Sequence, residues 1–78
     1  MPNPAQNVEN TRPKEIDGDS AVDIIYLGWT NPPTKYTKAR WYICKMVKTN
    51  TDSWSSLYPN GKQEFTFKWS ERLTYTYL

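Results

Sequence analysis

The sequence predicts an all-β protein, a small antiparallel sandwich or barrel of about five strands with an extended N-terminal arm. From residue 21 onward, short runs of β-branched and aromatic residues alternate with turn residues. Near the C-terminus, aromatic residues recur at every second position, which is the side-chain period of an extended chain. Five runs are typical of strands and none is clearly helical, so an antiparallel β-domain over residues 21–78 is expected.

Residues 1–20 have a different character and are predicted to form the extended arm. They contain Pro2, Pro4 and Pro13 among polar and charged residues, with little to bury beyond Val8 and Ile16. Such a segment cannot offset its own ordering entropy by burial. Two interpretations stay open: a disordered tail, or an arm that threads over a neighbouring subunit.

The first two strands are predicted at 22–29 and 39–48. The first ends at Asn31-Pro32-Pro33, because prolines cannot donate to a ladder. The second is ambiguous, since its apolar residues also suit a helix, but its aromatic and β-branched content favours a strand. As a strand it places two sets of side chains on opposite faces: Trp41, Ile43 and Val47 on one, and Tyr42, Cys44 and Met46 on the other.

The second half of the chain predicts a loop at 49–53, a short strand at 54–58 and a turn at Pro59-Asn60-Gly61. Strands at 62–69 and 72–78 follow, with a bulge at Ser70-Glu71 between them. In this interpretation Phe65, Phe67 and Trp69 share one face.

The size of the chain indicates partner proteins. A chain of 78 residues buries only about 60% of its unfolded surface, so its core is marginal. The single cysteine, Cys44, excludes an intramolecular disulfide, and the lack of histidine excludes a His or Cys metal cluster. Oligomerisation or docking remains as the stabilising device. The expected core and interface residues are Trp29, Trp41, Trp69, Arg72, Tyr75 and Tyr77.

Little in the sequence indicates catalysis or cofactor binding, so a protein that is not an enzyme and has no cofactor is expected. No nucleophile stands beside a recognisable base, and Cys44 lies in an apolar run where it is expected to be buried. Asp17, Asp19 and Asp23 lack the glycine and glutamate of a calcium loop. No apolar run approaches the roughly 18–20 residues of a membrane span, and the N-terminus does not resemble a signal peptide. Neither a small-molecule ligand nor a membrane is expected.

A basic cluster interleaved with aromatic residues offers an alternative, a small β-barrel that binds single-stranded nucleic acid or a glycan. Stacking aromatics within a basic groove is how such barrels bind single strands. The net charge of only +2 does not favour a polyanion partner, and the same lysines can simply protect a strand edge. The residues of this alternative patch are Lys35, Lys38, Arg40, Lys45 and Lys48.

The order of several short motifs resembles small virion proteins of tailed bacteriophages. The motifs are Asp-x-x-Tyr-x-Gly, Trp-x-Ile-x-Lys, Tyr-x-x-Gly, and Phe followed by Trp-x-x-Arg and Leu-Thr-Tyr. They are carried here by Asp23, Tyr26 and Gly28, by Trp41, Ile43 and Lys45, by Tyr58 and Gly61, and by Phe65, Trp69, Arg72, Leu73, Thr74 and Tyr75.

The resemblance covers about residues 22–78 and implies a structural component of a phage head, neck, tail or fibre base, present in many copies. Its partners would be copies of itself or larger virion proteins, and it would be made in the host cytoplasm and located in the virion. A third hypothesis, a regulator that sequesters a host protein, fits the size of the chain.

Overall fold

A computed structural model describes residues 8–30 and 34–78, which form one open antiparallel sheet of four strands. The strands are β1 (Glu15–Asp17), β2 (Ile24–Trp29), β3 (Tyr42–Asn50) and β4 (Ser53–Leu57), and they neighbour one another in chain order. A 3-10 turn at Trp69–Glu71 follows. The all-β class is therefore confirmed, with a sheet that is open over the described residues.

The strand registers place alternate side chains on two faces. Leu27 lies opposite Cys44, whereas the next pair, Tyr26 and Lys45, points the other way. We call the face that carries Tyr26 and Lys45 the front face, and the face that carries Leu27 and Cys44 the back face.

The front face is covered by residues 67–78. Its core consists of Tyr26, Trp41, Ile43, Phe67 and Trp69, and Ile24, Tyr75 and Tyr77 pack against it. The back face has a smaller core of Trp29, Tyr42 and Cys44, with Val8, Leu27, Met46 and Tyr58 packed around it. The alternation predicted for residues 41–47 is confirmed, since Trp41 and Ile43 belong to one core and Tyr42 and Cys44 to the other.

The strands predicted at 22–29, 39–48 and 54–58 are confirmed, and the helical alternative for 39–48 is wrong. The turn at Pro59-Asn60-Gly61 is also confirmed, with Asn60 at φ 53 and Gly61 at φ 73. The sheet begins earlier than expected, because β1 lies inside the segment predicted as an arm. The loop predicted at Asn31-Pro32-Pro33 and the first seven residues of that arm lie outside the described residues.

The strands predicted at 62–69 and 72–78 are wrong. This part of the chain makes only two isolated bridges, Trp41 with Phe67 and Pro59 with Tyr77. The bulge predicted at Ser70-Glu71 is instead the 3-10 turn, in which Arg72 N–H bonds to the Trp69 carbonyl at 3.1 Å. Packing of the aromatic rings onto the front face replaces a backbone ladder here.

Phe65 does not share a face with Phe67 and Trp69. The chain bends at residues 64–65, and the Phe65 ring lies 5.5 Å from the ring of Tyr42, a residue of the back core. Side chains alternate between two faces only while the backbone stays extended, and this bend breaks the alternation.

Candidate functional site

An apolar strip crosses all four strands on the back face. Strand pairing sets Ile16 opposite Leu27, and Ile25 opposite Met46. Trp54 joins them from β4, since it pairs with Lys48, two residues beyond Met46 and on the same face. Ile16 is 64% exposed and Trp54 41% exposed, while Ile25, Leu27 and Met46 are half-buried. We call these five residues the apolar strip.

The remainder of the back face is covered by residues 8–11. The Glu9 carboxylate accepts hydrogen bonds from the hydroxyls of both Tyr42 and Tyr58, the latter at 2.8 Å. The indole N–H of Trp29 donates to the Thr11 carbonyl at 3.0 Å. Burial, together with the Glu9 carboxylate, raises the pKa of Tyr58 to about 12 and also raises the pKa of Tyr42. This segment closes one end of the back face and leaves the apolar strip at the other.

An ion pair ties the front-face cover to β1. Arg72 Nε donates to Asp17 Oδ2 at 2.9 Å, and the guanidinium lies 4.6 Å from the ring centroid of Trp69. Hydrogen bonds from Ser20, and then from Arg72, hold the pKa of Asp17 at about 2, below its ordinary value of 3.8, although burial acts in the opposite direction. Residues that are 55 positions apart are thereby joined.

Gly28 allows the closest ring contact of the front core. A Cβ at this position would lie 2.5 Å from Trp69 Cε3 and 3.0 Å from Trp41 Cε3. Trp41 and Trp69 therefore pack directly on the β2 backbone, with their ring centroids 5.7 Å apart. Only a residue without a side chain fits under these two rings.

The six residues predicted as core or interface all lie in the two cores or in the front-face cover. Trp29, Trp41 and Trp69 are buried. Tyr75 and Tyr77 pack against the front core, where the Tyr77 hydroxyl donates to the Arg72 carbonyl at 2.7 Å and the Tyr75 hydroxyl accepts from Lys68 N–H at 2.8 Å. Trp29 thus belongs to the back core and the other five to the front core or its cover, while their role as interface residues stays a prediction.

The most exposed members of the apolar strip, Ile16 and Trp54, were not among the predicted site residues. Ile16 falls in the segment assigned to the arm, and β1 has only three residues, too few for alternation to show. Trp54 carries a clearer signal: it is the one aromatic residue in the serine-rich strand Ser53–Leu57. A large apolar side chain among serines marks a strand that faces solvent on one side.

The five basic residues of the alternative patch do not form one surface. Lys35, Lys38 and Arg40 are exposed on the turn before β3. Lys45 lies on the front face with its ammonium 5.2 Å from the ring centroid of Tyr77, while Lys48 lies on the back face opposite Trp54. The patch is therefore reduced to the three residues of the turn.

A cleft of about 360 Å³ lies beside this turn. The Tyr36 hydroxyl donates to Glu15 at 2.6 Å, and the Trp41 indole N–H donates to the Lys35 carbonyl at 3.0 Å, so both rings are fixed in its wall. Two lysines, one glutamate and two aromatic residues thus line the same cleft. The lining residues are Lys14, Glu15, Thr30, Thr34, Lys35, Tyr36 and Trp41.

The one cysteine is poorly suited to nucleophilic chemistry. Cys44 is 1% exposed, and burial raises the pKa of its thiol to about 11. The thiol is therefore protonated at neutral pH, and the thiolate is the reactive form. Within residues 8–30 and 34–78, no group of acidic or cysteine side chains is arranged to hold a metal ion.

No helix among the described residues has the length and apolar character needed to cross a membrane. Comparison with protein families, curated proteins and solved structures found no match to this chain. The apolar strip and the cleft beside Trp41 are thus the two candidate sites, and they stand on the geometry of the described residues.

Proposed function

We propose that this protein is a non-enzymatic structural component that acts by packing against other protein chains, as expected for a small bacteriophage virion protein. The observation that supports this proposal is the apolar strip. Isolated apolar residues at a protein surface are ordinary, but here they align across four neighbouring strands. A β-sheet needs a second layer on each apolar face, and residues 67–78 supply that layer only on the front.

Covering the strip would stabilise the domain appreciably. If a partner removed roughly 200–300 Å² of this surface from water, the gain at about 25 cal/mol per Å² would be roughly 5–8 kcal/mol before association costs. That is comparable with the whole stability of a small domain. In this proposal the second sheet of the sandwich predicted from the sequence comes from another chain.

The experiment compares lysine substitutions on and off the strip. Ile16→Lys and Trp54→Lys place a charge in the surface to be buried, whereas Val22→Lys changes a residue that is 86% exposed and lies in the turn before β2. Sedimentation velocity at tens of micromolar protein should show an oligomer for the wild-type chain and for V22K. Both I16K and W54K should sediment as a smaller species than the wild-type chain. A wild-type chain that stays monomeric at several hundred micromolar, or equal effects of all three changes, contradicts the proposal.

A second candidate function is binding of single-stranded nucleic acid or a glycan in the cleft beside Trp41. Its support is the meeting of Lys14 and Lys35 with two aromatic rings, and the neighbouring cations of Lys38 and Arg40. Titration with a labelled oligonucleotide at 50 and at about 200 mM salt would show steep weakening if phosphates are contacted. K35A/K38A should abolish binding in that case, whereas K45A should leave it intact. No binding at low salt rules out the nucleic-acid form of this candidate.

A further inference from the structure

The backbone groups of β4 face two directions, and the pairing shows which residues face outward. Lys48 N–H bonds to the Asp23 carbonyl at 3.0 Å, so even-numbered residues of β3 point to β2 and odd-numbered ones to β4. Since Val47 lies opposite Ser55, the backbone groups of Ser55 bond to β3. The backbone groups of Trp54 and Ser56 therefore point away from β3, toward the open edge of the sheet.

The chain itself covers the same edge just beyond β4. Tyr58 and Leu78 exchange two backbone hydrogen bonds, at 3.1 and 2.9 Å, and Asn60 N–H bonds to the Thr76 carbonyl at 2.7 Å. Tyr58 is two residues beyond Ser56 and four beyond Trp54, so the backbone groups of all three point the same way. The bonds of Tyr58 to Leu78 therefore support the outward direction assigned to Trp54 and Ser56. Among the described residues, the outward groups of Trp54 and Ser56 are not bonded to any other backbone group.

This open part of the edge lacks charged and proline residues, which commonly protect an edge strand from pairing with another chain. The register shift between Lys48 and Asn50 affects only the start of β4, at Ser53. The segment Ser53–Leu57 has no charged residue and no proline. It is bounded at one end by the turn at 51–52 and at the other by Leu78.

We propose that β4 pairs antiparallel with β4 of a second copy of this chain, about a two-fold axis that passes beside Ser55. The inference rests on the proposed packing function and adds an edge contact to the face contact that covers the apolar strip. In this register Trp54 faces the partner's Ser56, and Ser56 faces the partner's Trp54. Every outward N–H and C=O group of both residues then has a partner.

The neighbouring registers satisfy fewer groups. An axis at Trp54 would place Ser56 opposite the partner's Asp52, which lies in the turn with its N–H bonded to Asn50 Oδ1 at 3.0 Å. An axis at Ser56 would place Trp54 opposite the partner's Tyr58, whose backbone is already bonded to Leu78.

A second copy suits this edge better than an unrelated strand. In a contact between two identical copies, the same surface must complement itself. Because β4 has no charged residue, pairing with its own copy brings no like charges together. Because Trp54 lies on the back face, the apolar strips of both copies become one continuous surface.

Disulfide trapping tests this register. In the proposed pairing Ser55 faces the partner's Ser55 as a non-hydrogen-bonded pair with Cα atoms about 4.5 Å apart, which is within the range of a disulfide. The matched control is Ser53, on the same strand and face, whose distance to the partner's Ser53 would be about 13 Å. Cys44 does not interfere, because it is buried and its thiol has a raised pKa.

S55C, under mild oxidation at low micromolar concentration, should form a covalent dimer at least tenfold faster than S53C, as measured on non-reducing gels. The circular dichroism of both variants before oxidation should equal that of the wild-type chain. Equal rates for the two folded variants overturn the proposed register.

Charge reversal at the axis provides the second test. S55K and S55E keep the backbone ladder with β3, but each places like charges opposite one another in a homodimer. Each alone should sediment as a smaller species than the wild-type chain, and an equimolar mixture should restore the wild-type assembly with both chains in it, as read by native mass spectrometry. A mixture that stays at the smaller size while the wild-type chain assembles overturns the edge pairing. If I16K still dissociates a wild-type oligomer in which S55C does not cross-link, the packing function stands and the edge inference fails.

Discussion

Replacing Gly28 by alanine tests how the front core is built. The new methyl group would lie 2.5 Å from Trp69 Cε3 and 2.6 Å from Trp69 Cζ3, well inside any real contact distance. Gly28 cannot retreat, because its backbone is paired with Ile43 on one side and with Glu15 on the other. The ring of Trp69 must therefore move away from the sheet.

The cost of that movement follows from what holds Trp69. The ring is 4% exposed, packs on Trp41 and lies under the Arg72 guanidinium, so its displacement disturbs the front core and its tether to β1. Overpacking a core costs about 1–3 kcal/mol, and we expect about 3 kcal/mol for this contact. For a domain of this size, a loss of that magnitude lowers Tm by about 12–24 °C.

The assay is thermal unfolding followed by circular dichroism, with Gly18→Ala as the matched control. A Cβ at Gly18 would lie 4.0 Å from Ile25 Cγ1, an ordinary contact, so this variant should stay within about 0.5 kcal/mol of wild type. A similar Tm for G28A and G18A would refute the packing argument.

A double-mutant cycle identifies the clashing side chain. In a Trp69→Leu background the smaller residue leaves space for the methyl group, so Gly28→Ala should cost less than about 1 kcal/mol. The resulting coupling energy of about 2 kcal/mol lies within the range of residues in direct contact. An unchanged cost in that background would mean that Trp69 is not the obstacle.

Three further predictions concern pH and backbone geometry. The free energy of unfolding should fall by up to about 2 kcal/mol between pH 4 and 2, because the pKa of Asp17 is 3.8 in the unfolded chain and about 2 in the folded one. In urea titrations, the unfolding free energy of Asp17→Asn should depend less on pH over this range. Stability should also fall above pH 10, because Tyr58 ionises there in the unfolded chain but stays neutral to about pH 12 in the folded one. In the Tyr58→Phe variant, the free energy of unfolding should decrease less steeply above pH 10. Gly61→Ala, at φ 73, should cost about 1–2 kcal/mol in urea unfolding, whereas Asn60→Gly, at φ 53, should be near neutral or stabilising.

The part of the fold that the sequence predicts well is the part built by alternation. Residues 41–44 divide between two cores because the pairing of Tyr42–Cys44 with β2 and the bridge of Trp41 to Phe67 keep them extended and direct each side chain to one face. Pro59, Asn60 and Gly61 form the predicted turn because the last two tolerate positive φ.

The parts that the sequence does not predict depend on long-range contacts. Residues 67–78 alternate aromatic and polar side chains as a strand would, but they bond to the backbone of other segments only at Phe67, at Ser70 and at residues 76–78. The contacts of their rings with Tyr26 and Trp41 then determine their path. The position of Ile16 in the apolar strip also depends on a long-range contact, because β1 has only three residues and is a strand through its pairing with β2. The local sequence around Ile16 therefore does not predict it.

The ion pair between Asp17 and Arg72 also has a consequence for the order of folding. The β2–β3–β4 meander uses contacts between neighbouring strands, so we expect it to form first. The front core needs Phe67 and Trp69, and its ion pair joins residues 55 positions apart, so we expect it to close later. Until then, the meander exposes Tyr26, Trp41 and Ile43, which can associate with other unfolded chains.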